Sequence, residues 1–536
     1  MHTHTKIVYI ALLSIFLQMI FALDTYSNIP PPWRYKNTGA NHTILIPGNA
    51  PVNLNNDSLE TGDYIGVFYD SLGNLVCAGY SMWEHSVTAM AAWGEDEGLD
   101  GFSYGETFKW KVWDSSEGKE YNALAKYNDE DFISLGNYTS NGMSGLVSLY
   151  AFPEQEIELH IGWNYFSSYI SPIVSNMDSF VKQFNTSLIL MNDFDNVIIA
   201  EPGIIQIPGY YIAGDSYKIK LAKDTTITMF GVQAKANDTI FTITENFQAL
   251  PYLREQPATV EALFHDNYQQ IYILKDEHGN LLWPEMGQYN VQNLYPGKAY
   301  EIITESGFDF SFPPSDSLID FNIQYQTNIE EHYKSTVVTG LDMCLGISYY
   351  AWQTLPETGD EVGIFNSEGL LVGSGVFTGS NMGIILRGDD ITTAITDGLL
   401  SGEVFKLKLW GISTNFEDDI IVLDWDKGDS IYAHNKISII SNLEIKQDPV
   451  ERAFGFELLP DFGNNYNLEI SMNEQGYVEF NMYNLLGQFA INLISEELPI
   501  GKHNINLNLS GIASGVYLFI LNGEKERIMK KLPILK

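Results

Sequence analysis

GDYIGVF at residues 62–68 returns as GDEVGIF at 359–365, identical at four of seven positions, and GETFKWKVW at 105–113 returns as GEVFKLKLW at 402–410, identical at six of nine. Between the two phrases each copy carries an acidic loop, GEDEGLDGF at 94–102 and GDDITTAITDGL at 388–399. Ahead of them NTGANHTILIP at 37–47 answers VTGLDMCLGIS at 338–348. Matches kept in order over about a hundred residues mark one small domain present twice. The chain is 536 residues long, and at about 150 residues per domain it requires several cores, two of them alike.

Polarity alternates through the second phrase. Phe108, Trp110 and Val112 fall on one side and Lys109 and Lys111 on the other; the second copy repeats this with Phe405, Leu407 and Leu409 against Lys406 and Lys408. Period two is the mark of a half-buried strand. Gly-Asp and Ser-x-Gly punctuation supplies short hairpins and no long helical period intervenes, so each copy is expected to be a β-sandwich-like module. The alternation sets Trp113 and Trp410 on the face opposite the core, beside Lys109, Lys111, Lys406 and Lys408. Two readings are open there: cover by a neighbouring loop and the lysine stems, or a flat stacking platform for a sugar or extended peptide.

A second pair of units lies between the copies. GWNYFSSYISPIVSNMDSFVKQF at 162–184 leads into SLILMNDFDNVIIAE and then YYIAGDSYKIKL; NFQALPYLREQPATVEALF at 246–264 leads into IYILKDEHGNLLWPE and then LYPGKAYEII. Met177, Phe180, Val181 and Phe184 are spaced i, i+3, i+4, i+7, and Val260, Leu263 and Phe264 repeat part of that stripe, which predicts one short helix beside the strands of each unit. The expected fold class is therefore mainly β and multidomain. Two β-sandwich-like repeats flank two small α+β modules, and a C-terminal antiparallel sandwich follows. The boundaries are 1–22 for an export signal, 23–150 and 326–445 for the repeats, 151–235 and 236–325 for the α+β modules, and 446–536 for the tail.

The N-terminal apolar run from Ile7 to Leu23, behind Lys6 and with the small Ala22 as its expected cleavage point, has the form of a signal peptide; no comparable run follows, so no transmembrane segment is expected once it is removed. With 29 Lys+Arg against 68 Asp+Glu the net charge is −39, which repels a phosphate backbone and argues against nucleic acid as a partner. Two cysteines, Cys77 and Cys344, stand at non-equivalent places in the repeats and are expected as buried thiols.

The tail contains FNMYNLLGQFAINLI, then INLNLSGIASGVYLFIL, then ERIMKKLPILK. Over residues 454–536 this order resembles the C-terminal sorting domain of the type IX secretion system of Bacteroidetes-type bacteria. The matching features are Met482 to Gln488 with Gly487, Leu509 to Ile512 leading to Gly515 and Tyr517, and the closing Lys530 and Lys531. Pro460-Asp461-Phe462-Gly463 stands where the family often has a Pro-Asn-Pro turn. The resemblance implies recognition by the type IX secretion translocon and a secreted or cell-surface destination.

Chemical motifs are sparse. There is no H-E-x-x-H, C-x-x-C, G-x-x-x-x-G-K-[ST] or G-x-S-x-G, and Gly373-Ser374-Gly375 lacks the first glycine the last of these needs. No cofactor is called for. The acidic loops offer Asp96, Glu97 and Asp100 in one copy and Asp389, Asp390 and Asp397 in the other, oxygens of the sort calcium accepts; solvated turns of an acidic protein have the same composition. The expected function is a non-enzymatic, adhesion-type surface protein binding a glycan or protein. The alternative is a secreted hydrolase with an active site between modules. A cleft is used once, so an active site should be present in one copy only, whereas an array should keep its polar residues in both.

Overall fold

The computed structural model describes residues 29–96, 98–202, 208–313, 332–334, 337–446, 454–461 and 465–534; the expected export signal, Phe462 and Gly463 lie outside them. The chain is mainly β and multidomain. Numbering the principal strands alone, the first unit contains β1 (Asn41–Ile46), β2 (Tyr64–Ser71), β3 (Asn74–Met82), β4 (Thr88–Trp93), β5 (Lys109–Asp114), β6 (Lys119–Tyr127) and β7 (Met143–Phe152). They hydrogen-bond in the order β3-β2-β5-β6-β7-β1-β4, every pair antiparallel except β7 with β1. The alternation that marks these strands in the sequence is the alternation that buries them: β1, NHTILI, buries His42, Ile44 and Ile46 in turn.

The two small units follow. The first has β8 (Gly162–Ser167), α1 (Met177–Lys182), β9 (Leu188–Asn192) and β10 (Ser216–Leu221), and the second β11 (Gln248–Pro251), α2 (Val260–Phe264), β12 (Ile271–Lys275) and β13 (Ala299–Thr304). Their central strands order as β8-β10-β9 and β11-β13-β12. Asn176 caps α1 by accepting from the Ser179 N–H, and Thr259 caps α2 by accepting from the Ala262 N–H, each satisfying a donor the helix start leaves free. One apolar core runs through both units, from Ile157 through Phe180, Phe184 and Tyr211 to Leu263, Phe310 and Phe312, so neither encloses a core of its own.

The second repeat comprises β14 (Asp342–Ile347), β15 (Glu361–Phe365), β16 (Leu371–Val376), β17 (Met382–Arg387), β18 (Lys406–Trp410), β19 (Glu417–Lys427) and β20 (Ile437–Lys446). Its order is β16-β15-β18-β19-β20-β14-β17, again with a single parallel pair, β20 with β14. This is the order of the first unit strand for strand. In both repeats the sheet curls around its core until its outermost strands meet. A Cβ added at Gly79 in β3 would sit 1.9 Å from the Ala91 carbonyl oxygen in β4, and one added at Gly373 in β16 would sit 2.6 Å from that of Ile385 in β17.

The tail is a two-layer antiparallel sandwich: β21 (Gly455–Pro460), β22 (Asn465–Met472) and β25 (Gly501–Asn508) face β23 (Gly476–Tyr483), β24 (Phe489–Leu498), β26 (Gly515–Asn522) and β27 (Arg527–Ile534) across one apolar core. It meets the second repeat where the Lys502 N–H donates to the Thr414 carbonyl at 2.8 Å.

The close approach at Gly79 sets a stability test. Gly79→Ala forces a methyl into backbone it cannot displace cheaply and should destabilise the protein by roughly 1–3 kcal/mol, read as a fall in thermal midpoint. Gly511→Ala, where an added Cβ meets nothing within 4 Å, should stay within about 0.5 kcal/mol of the parent.

Candidate functional site

The residues that recur between repeats hold loops and cover strands. Asp63 accepts from the Ser115 N–H at 2.9 Å and the Glu60 N–H at 3.1 Å; Asp360 accepts from Ile412 at 2.9 Å and Glu357 at 2.8 Å. Glu106 and Glu403 each bind two backbone N–H groups of their own repeat in the same way. Gly66 and Gly363 leave room for an aromatic ring from the preceding segment: an added Cβ would meet Trp33 at 2.8 Å in one copy and Tyr333 at 2.8 Å in the other. Trp33 donates to Glu120 at 2.5 Å, and Tyr333 donates to Glu417 at 2.7 Å.

That segment also covers the two tryptophans that strand alternation turns away from the core. Trp113 is 8% exposed, packs edge-on against Trp33 and donates its indole N–H to the Ile29 carbonyl at 2.6 Å. Trp410 stacks on His332 with ring centroids 4.5 Å apart and planes 1° from parallel. The chain ahead of each repeat folds back over these rings, burying Trp113 and covering one face of the half-buried Trp410. Lys111 and Lys408 pair with Glu120 and Glu417, while Lys109 and Lys406 point to solvent.

The carboxylates of the second acidic loop bind backbone and side-chain donors of their own surroundings, and the first loop closes on its own backbone. Among the described residues no three His, Cys, Asp or Glu side chains converge to hold a metal. Asp96 closes a tight turn through backbone bonds with Leu99, Asp100 is exposed, and Glu97 lies outside the described residues. In the second copy Asp389 accepts from the Asp397 N–H at 3.0 Å and Asp397 from the Asp390 N–H at 2.9 Å. Asp390 is buried and bound by Lys220 at 2.7 Å and the Trp163 indole at 2.6 Å. Burial would raise its carboxyl pKa, but hydrogen bonds from Lys220, Thr392 and Trp163 outweigh that and hold it below the usual range. This loop fastens the second repeat to the first α+β unit.

The densest chemistry lies where the second repeat meets both α+β units. Lys218, Lys275, Glu301 and Asp342 are all 0–1% exposed. Lys275 and Glu301 stand opposite each other on β12 and β13, and Asp342 and Arg387 opposite each other on β14 and β17. Glu301 lies 2.9 Å from Lys275 Nζ through Oε2 and 3.2 Å from Lys218 Nζ through Oε1. Lys275 Nζ also donates to Asp342 Oδ1, and to Asn435 Oδ1 at 2.9 Å. The second oxygen of Asp342, Oδ2, accepts no hydrogen bond among the described residues and lies 3.7 Å from Arg387 Nη1. Three cations thus face two carboxylates in a dry joint. Burial alone would raise the carboxyl pKa values; Lys218 and Lys275 beside Glu301, and Lys275 and Arg387 beside Asp342, lower both instead. Their stabilising charge is present above the ordinary carboxylate range and lost as pH falls through the lowered values.

This cluster occurs once. By strand register the counterparts of Lys275 and Glu301 are Asn192 and Lys218, and those of Asp342 and Arg387 are Asn41 and Trp93. Sequence reasoning passed over all of it. The usable signal was the departure of these positions from the repeat, Lys218 against Glu301 in the aligned YKI and YEI.

In the tail, Gly487 takes φ +77° in the β23–β24 hairpin, and Gly515 opens β26 opposite Ile534. Tyr517 donates to the Ala513 carbonyl at 3.0 Å, Lys530 lies 5.2 Å from the centroid of the Phe456 ring, and Lys531 is exposed on β27. Residues 464–535 match the family described as the secretion system C-terminal sorting domain. The tail is a sorting domain of the type IX secretion system. The chain that carries it is exported, to the medium or the cell surface, and no helix among the described residues is long and apolar enough to cross a membrane.

A comparison with curated proteins found no match. Among solved structures, the tetra-tandem repeat in the extending region of a large adhesion protein is 9% identical, with coverage of 92% of this chain and 100% of that one and a TM-score of 0.12. The BSP domain of a biofilm associated protein is 10% identical, with coverage of 95% and 99% and a TM-score of 0.14. At scores this low neither likeness bears on what the chain does.

The joint also carries His434, half-buried against the Asp342 backbone. Desolvation first, and then the charges of Lys218 and Lys275, push its pKa from 6.5 down to about 4. Between those values the unfolded chain binds a proton that the folded one refuses, so stability should fall as pH drops from 6.5 to about 4. His434→Asn, which keeps an acceptor for the Asp342 N–H, should flatten the thermal midpoint across that window.

Proposed function

We propose that the chain is a non-enzymatic, adhesion-type surface protein, delivered by the type IX secretion translocon and built to hold a protein or glycan ligand between its units. The sorting domain at 464–535 carries this reading, since it commits the rest of the chain to the cell exterior. A groove of about 660 Å³ between the first repeat and the α+β units supports it, lined by Asp57, Glu60, Glu117 and Glu255 among others. Its carboxylates and the net charge of −39 favour a ligand with a basic surface. The wide opening of the groove suits an extended or protruding partner.

Two outcomes are expected. A chain lacking residues 454–536 should remain inside the cell, and fusing those residues to an unrelated export-signal-bearing reporter should send it out; secretion of the truncated chain would refute the sorting assignment. The exported portion, probed against glycan and protein arrays, should retain basic protein ligands, and Glu60→Lys with Glu117→Lys should weaken them with an unchanged thermal midpoint. Turnover of an array glycan or peptide by the same material would make the protein a hydrolase instead.

A further inference from the structure

We propose that Lys275 and Asp342 form an intramolecular amide, with Glu301 as the group that moves the proton, and that this bond welds the second repeat to the α+β units. Four observations on the joint converge on this. Lys275 Nζ is held against the Asp342 carboxyl by three acceptors, Asp342 Oδ1, Glu301 Oε2 at 2.9 Å and Asn435 Oδ1 at 2.9 Å. All three reacting side chains are 0–1% exposed, so the water that would hydrate a charged amine and carboxylate is excluded. Asp342 Oδ2 has no hydrogen-bond donor among the described residues, and faces the Arg387 guanidinium at 3.7 Å. Finally, the trio stands in one copy of the duplicated units, with Asn192, Lys218 and Asn41 at the equivalent positions.

The neighbouring charges of the joint favour the ion pair, so the reactive state is its minor neutral form, reached by proton transfer within the pair. Transfer of a proton from Lys275 to Asp342 yields an amine beside a carboxylic acid and leaves the charges of Lys218, Arg387 and Glu301 in place. The amine lone pair then attacks Asp342 Cγ, and the developing oxyanion lies on the side of Arg387, whose charge stabilises it. The Glu301 carboxylate takes one proton from the attacking nitrogen and delivers it to the departing hydroxyl. The C–O bond breaks with its electron pair, and water leaves. One N–C bond forms, one N–H and one C–O bond break, Glu301 ends as it began, and no oxidant or second reactant is required. Glu301 is thus a catalytic residue of the chain's own modification, since it touches the reacting nitrogen.

The bond joins residues 67 apart in the sequence and belongs to two units that otherwise meet through non-covalent contacts. Loop closure on that scale restricts the unfolded ensemble much as a disulfide does, but an amide is indifferent to reducing agents.

Mass spectrometry of the full-length protein tests this directly. The expected result is a chain lighter by one water, with a branched peptide whose fragments place the link between Lys275 and Asp342. Asp342→Ala and Lys275→Arg should each restore the full mass, and Glu301→Gln should slow bond formation by roughly 10²–10⁴-fold, the scale of a lost general acid–base group. Recovery of Lys275 and Asp342 in separate, unmodified linear peptides from the native protein would overturn the proposal and leave a plain ion pair. A water loss mapped to any other residue would overturn it equally.

Discussion

Five ionic side chains meet in a space that water does not reach. Lys218 comes from the first α+β unit, Lys275 and Glu301 from the second, and Asp342 and Arg387 from the second repeat. Taking such groups out of water costs several kcal/mol per ion, and mutual attraction offsets that only when every partner is in place. The consequence is geometric. Any slip of one unit against another strands a buried charge, so the three units share one relative arrangement, whatever the cluster adds to net stability. The same joint places Asp390 of the second repeat under Lys220 and Trp163 of the first α+β unit, which anchors a second point of the contact.

Duplication explains how the cluster could arise. Lys218 and Glu301 occupy the same register position on β10 and β13, and the two units pack with those strands near one another, the Phe166–Lys298 bridge beside them. Identical residues there would set like charges face to face. Divergence to a lysine and a glutamate turns a repulsive pseudo-symmetric contact into an ion pair 3.2 Å long. Recurrence and function therefore part company in this chain. Asp63 with Asp360, Glu106 with Glu403 and Gly66 with Gly363 recur because each curled sheet needs the same loops tied and the same aromatic cover seated. The concentrated chemistry sits where the copies differ.

That separation decides what could be read from residue order. Period-two alternation locates β5 and β18, and the matched phrases identify two units whose strand orders agree, because local polarity reports which side of a strand is buried. The helices at Met177 and Val260 are visible for the same reason, and the tail is visible because its motifs keep their order. The fate of Trp113 and Trp410 is not visible in this way. Their strand faces are as alternation dictates, but the cover comes from Ile29, Trp33 and His332, far away in the chain and without any local period. The carboxylates of the acidic loops show the same limit: composition groups Asp389, Asp390 and Asp397, whereas backbone N–H groups and a distant lysine decide where each one points. Lys275 and Asp342 are harder still, since a buried charge looks like a surface charge until its partners are placed around it.

An exported chain of several units must keep its joints without the reducing, chaperoned interior of the cell. Disulfides are the common means outside the cell, and this protein does not use them: its two cysteines are both free and buried, Cys77 in the first repeat and Cys344 beside the ionic joint. Burial pushes the Cys344 thiol up to about 12, so it stays protonated and inert next to Lys275. What remains is apolar packing, which serves each sheet and the shared α+β core well, and the joint between units, where an apolar contact alone would tolerate sliding. Directional, water-free charge contacts between the second repeat and both α+β units forbid sliding.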